Sequence, residues 1–137
     1  MGTTCTVILC QNGKYKIYHV GDSRCYRITQ EGNITQLTED HSAIRKFNIT
    51  KESNPELYKK YRNKLTRCIG VKPEVALDYI EGSYTEGDVF LVCSDGLWHN
   101  VDFDALQKGD FENLRESVDS CITLGETDNI TVEVLKI

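Results

Sequence analysis

No apolar run in this chain is long enough to cross a bilayer: the longest, Val7 to Cys10 and Val89 to Cys93, fall far short of a spanning helix. No basic stretch followed by an apolar one opens the sequence, so no secretory leader is expected and the chain is read as cytoplasmic. A basic excess is also missing. With 21 acidic against 16 basic residues and a formal charge of -5, the chain lacks the electrostatic footprint of a nucleic-acid or anionic-membrane binder, and cations are the favoured small partners. The six cysteines (Cys5, Cys10, Cys25, Cys68, Cys93, Cys121) include no Cys-x-x-Cys pair and no zinc-like spacing, which leaves reduced, buried thiols. Neither Gly-x-x-x-x-Gly-Lys-Ser/Thr, Gly-x-Gly-x-x-Gly nor Gly-x-Ser-x-Gly occurs, which argues against nucleotide-loop enzymes and serine hydrolases. His19, His41 and His99 form no His-x-x-x-His or Glu-x-x-His arrangement, and each reads as structural. Sequons at Asn33, Asn48 and Asn129 are incidental without a leader.

What is present is enough to bury a core in one domain: 137 residues, of which 39% are hydrophobic and 27% charged. Thr3 to Cys10 and Lys14 to Val20 read as strands joined by Asn12-Gly13, a hairpin turn. Arg24 to Thr29 and Ile34 to Leu37 continue the strand pattern, so an antiparallel meander is expected. From Glu39 to Asn63 the pattern gives way to a partly helical insert with Pro55 at a helix start. Val75 to Ile80 and Val89 to Ser94 follow as strands, the second nearly all apolar and therefore central in its sheet. Phe111, Leu114, Val118, Cys121 and Ile122 fall at helical spacing, Gly125 suits a C-cap, and Asn129 to Ile137 closes as a strand with Ile130, Val132 and Val134 on one face. This order points to an α+β layered sandwich.

Three carboxylates stand at strand ends. Asp95 follows the strand Val89 to Ser94 and precedes Gly96, so a rigid element fixes the side chain while glycine lets the backbone turn. Asp128 stands before the last strand. If those two strands are neighbours, Asp95 and Asp128 share a site suited to Mg²⁺ or Mn²⁺. Asp22 lies in Val20-Gly21-Asp22-Ser23-Arg24. Read singly, each is an ordinary acidic turn, with Arg24 pairing locally at Asp22.

Taken in order, Val20-Gly21-Asp22-Ser23-Arg24, Leu65-Thr66-Arg67-Cys68-Ile69-Gly70, Cys93-Ser94-Asp95-Gly96-Leu97-Trp98 and Asp128-Asn129-Ile130-Thr131 resemble the type 2C, metal-dependent protein phosphatases. Gly2-Thr3-Thr4 and Leu37-Thr38-Glu39-Asp40-His41-Ser42 resemble further family segments, so the likeness runs nearly end to end. The resemblance implies an α/β/β/α sandwich of antiparallel sheets and hydrolysis of phosphoserine or phosphothreonine proteins by water activated between paired Mg²⁺ or Mn²⁺ ions. It implies that Asp95 and Asp128 are metal ligands, that Asp22 belongs with a weaker third metal, and that a flap spans about residues 43–63. His99 stands where many members carry a further Asp.

The family's upstream features are an early acidic residue, an Asp-Gly pair bridging the metals and a phosphate-anchoring Arg. They are not found here, and the only Asp-Gly is Asp95-Gly96. The chain is therefore expected to match the C-terminal part of such a domain, to hold metal weakly, and to leave sheet edges and an apolar face that favour a missing N-terminal half or a dimer. Two readings stay open: an enzyme part completed by another segment, or a non-catalytic phosphatase-like binding module.

Overall fold

The structure, a computed structural model, describes residues 1–101, 103 and 114–137. Strand β1 (Cys5–Gln11) turns back into β2 (Lys14–Val20) through Asn12 and Gly13, whose φ angles of 50° and 74° are those of the two-residue hairpin that the sequence predicts. Along β2, Tyr15, Ile17 and His19 are buried while Lys14, Lys16 and Tyr18 face out. The third strand of this sheet comes from far along the chain, β5 (Asp78–Ser83), giving the antiparallel order β1-β2-β5.

The expected meander is therefore corrected. Gly21-Asp22-Ser23 does not return the chain beside β2 but carries it into a second antiparallel sheet, where β3 (Arg24–Ile28) pairs with β4 (Ile34–Gln36) and with β6 (Val89–Cys93). Gly21 makes the switch possible. Its φ is +114°, and a Cβ there would lie 2.4 Å from Thr4 Cγ2, so no other residue fits without displacing the start of the first hairpin. β7 (Val132–Lys136) completes the order β4-β3-β6-β7, with the apolar β6 in the interior as expected.

Two strand starts also shift. The strand expected from Val75 begins at Asp78, because β2 offers no partner beyond the His19–Asp78 pair, and the Ala76 carbonyl instead accepts from Arg67 Nη1 at 3.1 Å. The last strand begins at Val132 rather than Asn129, because the Asn129 carbonyl accepts from the Ser94 side chain.

In the 39–63 insert, α1 (Ala43–Lys46) starts at a Ser42 cap and α2 (Pro55–Tyr61) at an Asn54 cap with Pro55 in the first turn. A short helix α3 (Asp95–Trp98) follows β6, and α4 (Leu114–Thr123) precedes β7. The expected helix start at Phe111 lies outside the described residues. Leu114 and Cys121 of α4 are buried, whereas Ile122, placed on the same stripe from its spacing, is 59% exposed. Gly125 ends the helix at φ +90°, with its N–H bonded to the Ile122 carbonyl.

β3 and β6 serve two cores at once. Cys25 and Phe90 meet Tyr15 and Ile17 between the sheets, while Tyr26, Leu91 and Cys93 meet Ile44, Leu97, Trp98, Leu114 and Cys121 on the helical side. The result is the expected α+β layering. Among the described residues no helix covers the outer face of β1-β2-β5, where Val7, Leu9, Tyr18 and Tyr79 are exposed. All six cysteines are free, but only Cys25, Cys93 and Cys121 are buried. Among the described residues no helix is long and apolar enough to cross a membrane.

Phe90 is wholly buried, with Tyr15 and Tyr84 ring centroids 5.2 and 6.1 Å away. Phe90→Ala should cost about 3–5 kcal/mol through lost burial and the cavity left behind. Urea denaturation of the two proteins measures this; a loss under about 1 kcal/mol would mean that the two sheets do not depend on this contact.

Candidate metal centre

The end of β6 is stapled to the segment entering β7. Ser94 Oγ accepts from the Thr131 amide at 2.9 Å and donates to the Asn129 carbonyl at 3.1 Å. Gly96 sits so close that a Cβ would stand 2.6 Å from the Asn129 oxygen, a backbone atom that cannot swing aside. β6 and β7 are neighbours, so the condition for Asp95 and Asp128 to share a site is met. Each also caps its own turn: Gly96 N–H donates to Asp95 Oδ1 at 3.0 Å, and Asn129 N–H to Asp128 Oδ1 at 2.8 Å. Burial raises the Asp95 pKa, and the charge of Asp128 raises it further.

A residue not singled out in the sequence organises the Asp128 loop. Glu126 accepts from the Thr127 and Asp128 amides at 3.0 and 3.1 Å, from Asn100 Nδ2 at 2.7 Å, and pairs with Arg62 at 3.3 Å. Its side chain is nearly inaccessible. Those bonds hold its carboxyl below the usual range although burial opposes them. The only signal in the sequence was an acidic residue just past a helix-ending glycine.

Asp22 lies at the switch between the sheets and is buried. Arg24 does not pair with it. The guanidinium instead grips Asp40 through Nε at 2.9 Å and Nη2 at 2.6 Å, and stacks 3.5 Å over the Trp98 ring. Trp98 Nε1 in turn donates to the Asp22 carbonyl at 2.9 Å. On the other side, Gly21 N–H donates to His41 Nδ1 at 3.0 Å, so the ring proton sits on Nε2, which donates to Asp78 Oδ2 at 2.8 Å. Asp40 and His41 thus bracket Asp22 from both ends. Burial, together with the charges of Asp95 and Asp40, pushes the Asp22 carboxyl up to about 7.

His99, at the end of α3, is buried with Nε2 unpartnered among the described residues, and burial with Arg62 and Lys51 nearby lowers its pKa to about 4. It remains a neutral structural ring beside Trp98 and Tyr58.

The structure thus brings Asp95 beside Asp128 and sets Asp22 within reach of the Asp95 charge. Among the described residues no three His, Cys, Asp or Glu side chains are close enough to form a finished cation cage. The side chains that could hold a cation here are carboxylates, a set that suits hard cations such as Mg²⁺ or Mn²⁺. Their mutual repulsion with burial, visible at Asp22 and Asp95, is the cost a cation would relieve.

The protein phosphatase 2C family model matches residues 1–130. The chain belongs to the protein phosphatase 2C family. It is 35% identical to the serine/threonine phosphatase stp of Listeria welshimeri, covering 96% of this chain and 55% of that protein. Among solved structures it superposes on PppA, a regulatory component of the Pseudomonas aeruginosa type VI secretion system, with a TM-score of 0.83 at 28% identity, covering 99% of this chain and 58% of PppA. It also matches the catalytic domain of the phosphatase PstP in complex with two manganese ions, with a TM-score of 0.68 at 30% identity, covering 97% of this chain and 57% of that one. The chain spans about half the length of such relatives, and its sheets are the corresponding part of the 2C fold.

A native carboxyl near pH 7 whose unfolded value is 3.8 takes up a proton on folding between those values, so the stability it contributes falls as pH rises across that window. Without divalent cations, Asp22→Asn should therefore be more stable than the parent at pH 8, by about 1 kcal/mol or more, with the gap closing toward pH 4. Paired urea titrations at the two pH values check this, and a constant gap would show that Asp22 does not titrate as described.

Proposed function

We propose that this 2C chain contributes Asp22, Asp95 and Asp128 to a divalent-cation site of a phosphoserine/phosphothreonine protein phosphatase, within a single domain. The observation that carries the reading is the Ser94 and Gly96 staple, which presses the Asp95 turn onto the loop bearing Asp128. A bound Mg²⁺ or Mn²⁺ pair would supply an activated water for attack on phosphorus and offset the charge that develops there. The chain's own residues do the rest. Asp95 presents its oxygens from the turn just past β6 and Asp128 from the loop stapled to it, Trp98 and His41 hold the Asp22 turn, and residues 43–63 form a flap beside the site. Free thiols and an acidic balance suit a cytoplasmic protein acting on other phosphoproteins.

Because the chain spans 55% of its relative, full hydrolysis is assigned to it together with the remainder of a 2C domain. With such a complementing polypeptide, Mn²⁺-dependent hydrolysis of an aryl phosphate and of a phosphothreonine peptide should appear, disappear with chelator, and fall at least about 100-fold in Asp95→Asn. Hydrolysis that survives Asp95→Asn would sink the assignment. The unfinished cage favours a second reading, a phosphatase-like binding module, and complementation without any hydrolysis would decide for it.

The bare outer face supports self-association of the isolated chain. Val7, Tyr18 and Tyr79 stand opposite one another across three strands, the two tyrosine rings 5.3 Å apart, with Leu9 55% exposed beside them. Among the described residues, strand β1 adds an unpaired edge. Light scattering at micromolar concentration should give a dimeric mass that Leu9→Lys lowers; a monomer in the parent rules the dimer out.

A further inference from the structure

Glu126 is held more firmly than its place in the chain requires. It follows the glycine that ends α4, where no particular side chain is needed, yet its carboxylate is only 1% accessible. Oε1 accepts from the Thr127 and Asp128 amides and from Arg62 Nη2, and Oε2 accepts from Asn100 Nδ2. A carboxylate accepts at about four positions, so these four donors leave none for a cation. Glu126 is therefore not a ligand itself. Its backbone is anchored from behind as well, the N–H donating to the carbonyl of Cys121 at 3.0 Å. Burying a carboxylate is unfavourable unless its bonds are complete, and here the completed set converges on one loop.

Thr127, Asp128 and Asn129 of that loop are exposed, and exposed loop residues ordinarily keep conformational freedom. A cation that binds Asp128 needs the backbone beneath it fixed, so a group that fixes it beforehand strengthens binding without touching the ion. The donors to Glu126 arrive from three directions. Two belong to the loop, one to Asn100 just past α3, whose Nδ2 also lies 3.4 Å from the Gly96 carbonyl beside Asp95, and one to Arg62 just past α2. We propose that Glu126 is a positioning residue for Asp128, pinned by Arg62, and that this pair sets the affinity for a divalent cation from outside the ligand set. This rests on the cation-site reading of Asp95 and Asp128. Charge alone predicts the opposite at Arg62: removing a nearby positive charge should tighten cation binding, whereas unpinning Glu126 should loosen it.

The test measures the Mn²⁺ affinity of the isotope-labelled chain from paramagnetic broadening of its backbone amides, which reads weak binding and needs no catalysis. Glu126→Gln should bind Mn²⁺ about 10-fold more weakly than the parent, as a lost outer partner of a ligand does. Arg62→Met should weaken binding too, and the double variant should lose no more than Glu126→Gln alone, because both substitutions cut one connection. Circular dichroism before each titration establishes that the chain is folded; should Glu126→Gln fail to fold, the sign of the change in Arg62→Met decides. Unchanged affinity in a folded Glu126→Gln, as a purely structural role requires, or unchanged or tighter binding in Arg62→Met, would overturn the proposal. Asp128→Asn separates the two readings. If it binds Mn²⁺ as well as the parent does, the cation-site reading falls and the positioning role with it; if it loses binding while Glu126→Gln does not, the positioning role falls alone.

Discussion

The position of Asp22 depends on one charged side chain taken largely out of water. Arg24 leaves β3 between the face of Trp98, at 3.5 Å, and the carboxylate of Asp40, which it meets through two nitrogens, with a further bond to the Tyr26 hydroxyl at 3.1 Å. Desolvating a guanidinium is unfavourable, and the interaction is favourable only because each partner is already fixed: Tyr26 by the core, Asp40 by the chain leading to a capped helix, Trp98 by α3. Losing one partner of such a pair generally costs about 3–5 kcal/mol, since the other charge stays buried. The clamp therefore sets the angle of the Trp98 indole, the indole holds the Asp22 carbonyl, and His41, next to Asp40 in sequence, holds Gly21.

Register explains why the three carboxylates lie at one end of the sandwich. Arg24 pairs with Cys93 and Cys93 with Val132, so the chain entering β3, leaving β6 and entering β7 meets at one end of the sheet, and the Ser94 and Gly96 contacts then draw the Asp128 loop, four residues before β7, onto the Asp95 turn. Bringing acids together raises the energy of the empty site. Burial and neighbouring charge push Asp22 to about 7 and raise Asp95, and oxygen donors that repel one another in the absence of a cation are what an ion would stabilise.

Local patterns made much of this legible in the sequence. Asn12-Gly13 marks the first hairpin because few residues adopt two consecutive positive φ angles, and the unbroken apolar run of β6 marks an interior strand because both its faces are covered. The pairing of Asp95 with Asp128 was legible as a condition on strand adjacency. The sheet switch at Gly21 was not, because a glycine-aspartate turn looks the same whether the next strand returns or departs, and β6, the strand that β3 joins, lies far along the chain. The local pattern suggests Arg24 as a partner of Asp22 for the same reason: its actual partners, Asp40 and Trp98, are 16 and 74 positions away. Glu126 carries no distinctive signal in the sequence because its role consists of bonds to Arg62 and Asn100, which no spacing rule reveals.

The same long-range bonds give the 43–63 segment a handle on each carboxylate. Arg62, just past α2, pairs with Glu126, which holds the Asp128 amide; Lys51 bonds the carbonyl of His99, at the end of the helix that Asp95 begins; and the chain into α1 passes through Asp40 and His41, the bracket around Asp22. A ligand that pushed this segment outward would have to stretch all three connections. Displacing the segment would therefore disturb the turns that carry Asp22, Asp95 and Asp128 together, which ties the shape of the insert to the geometry of all three.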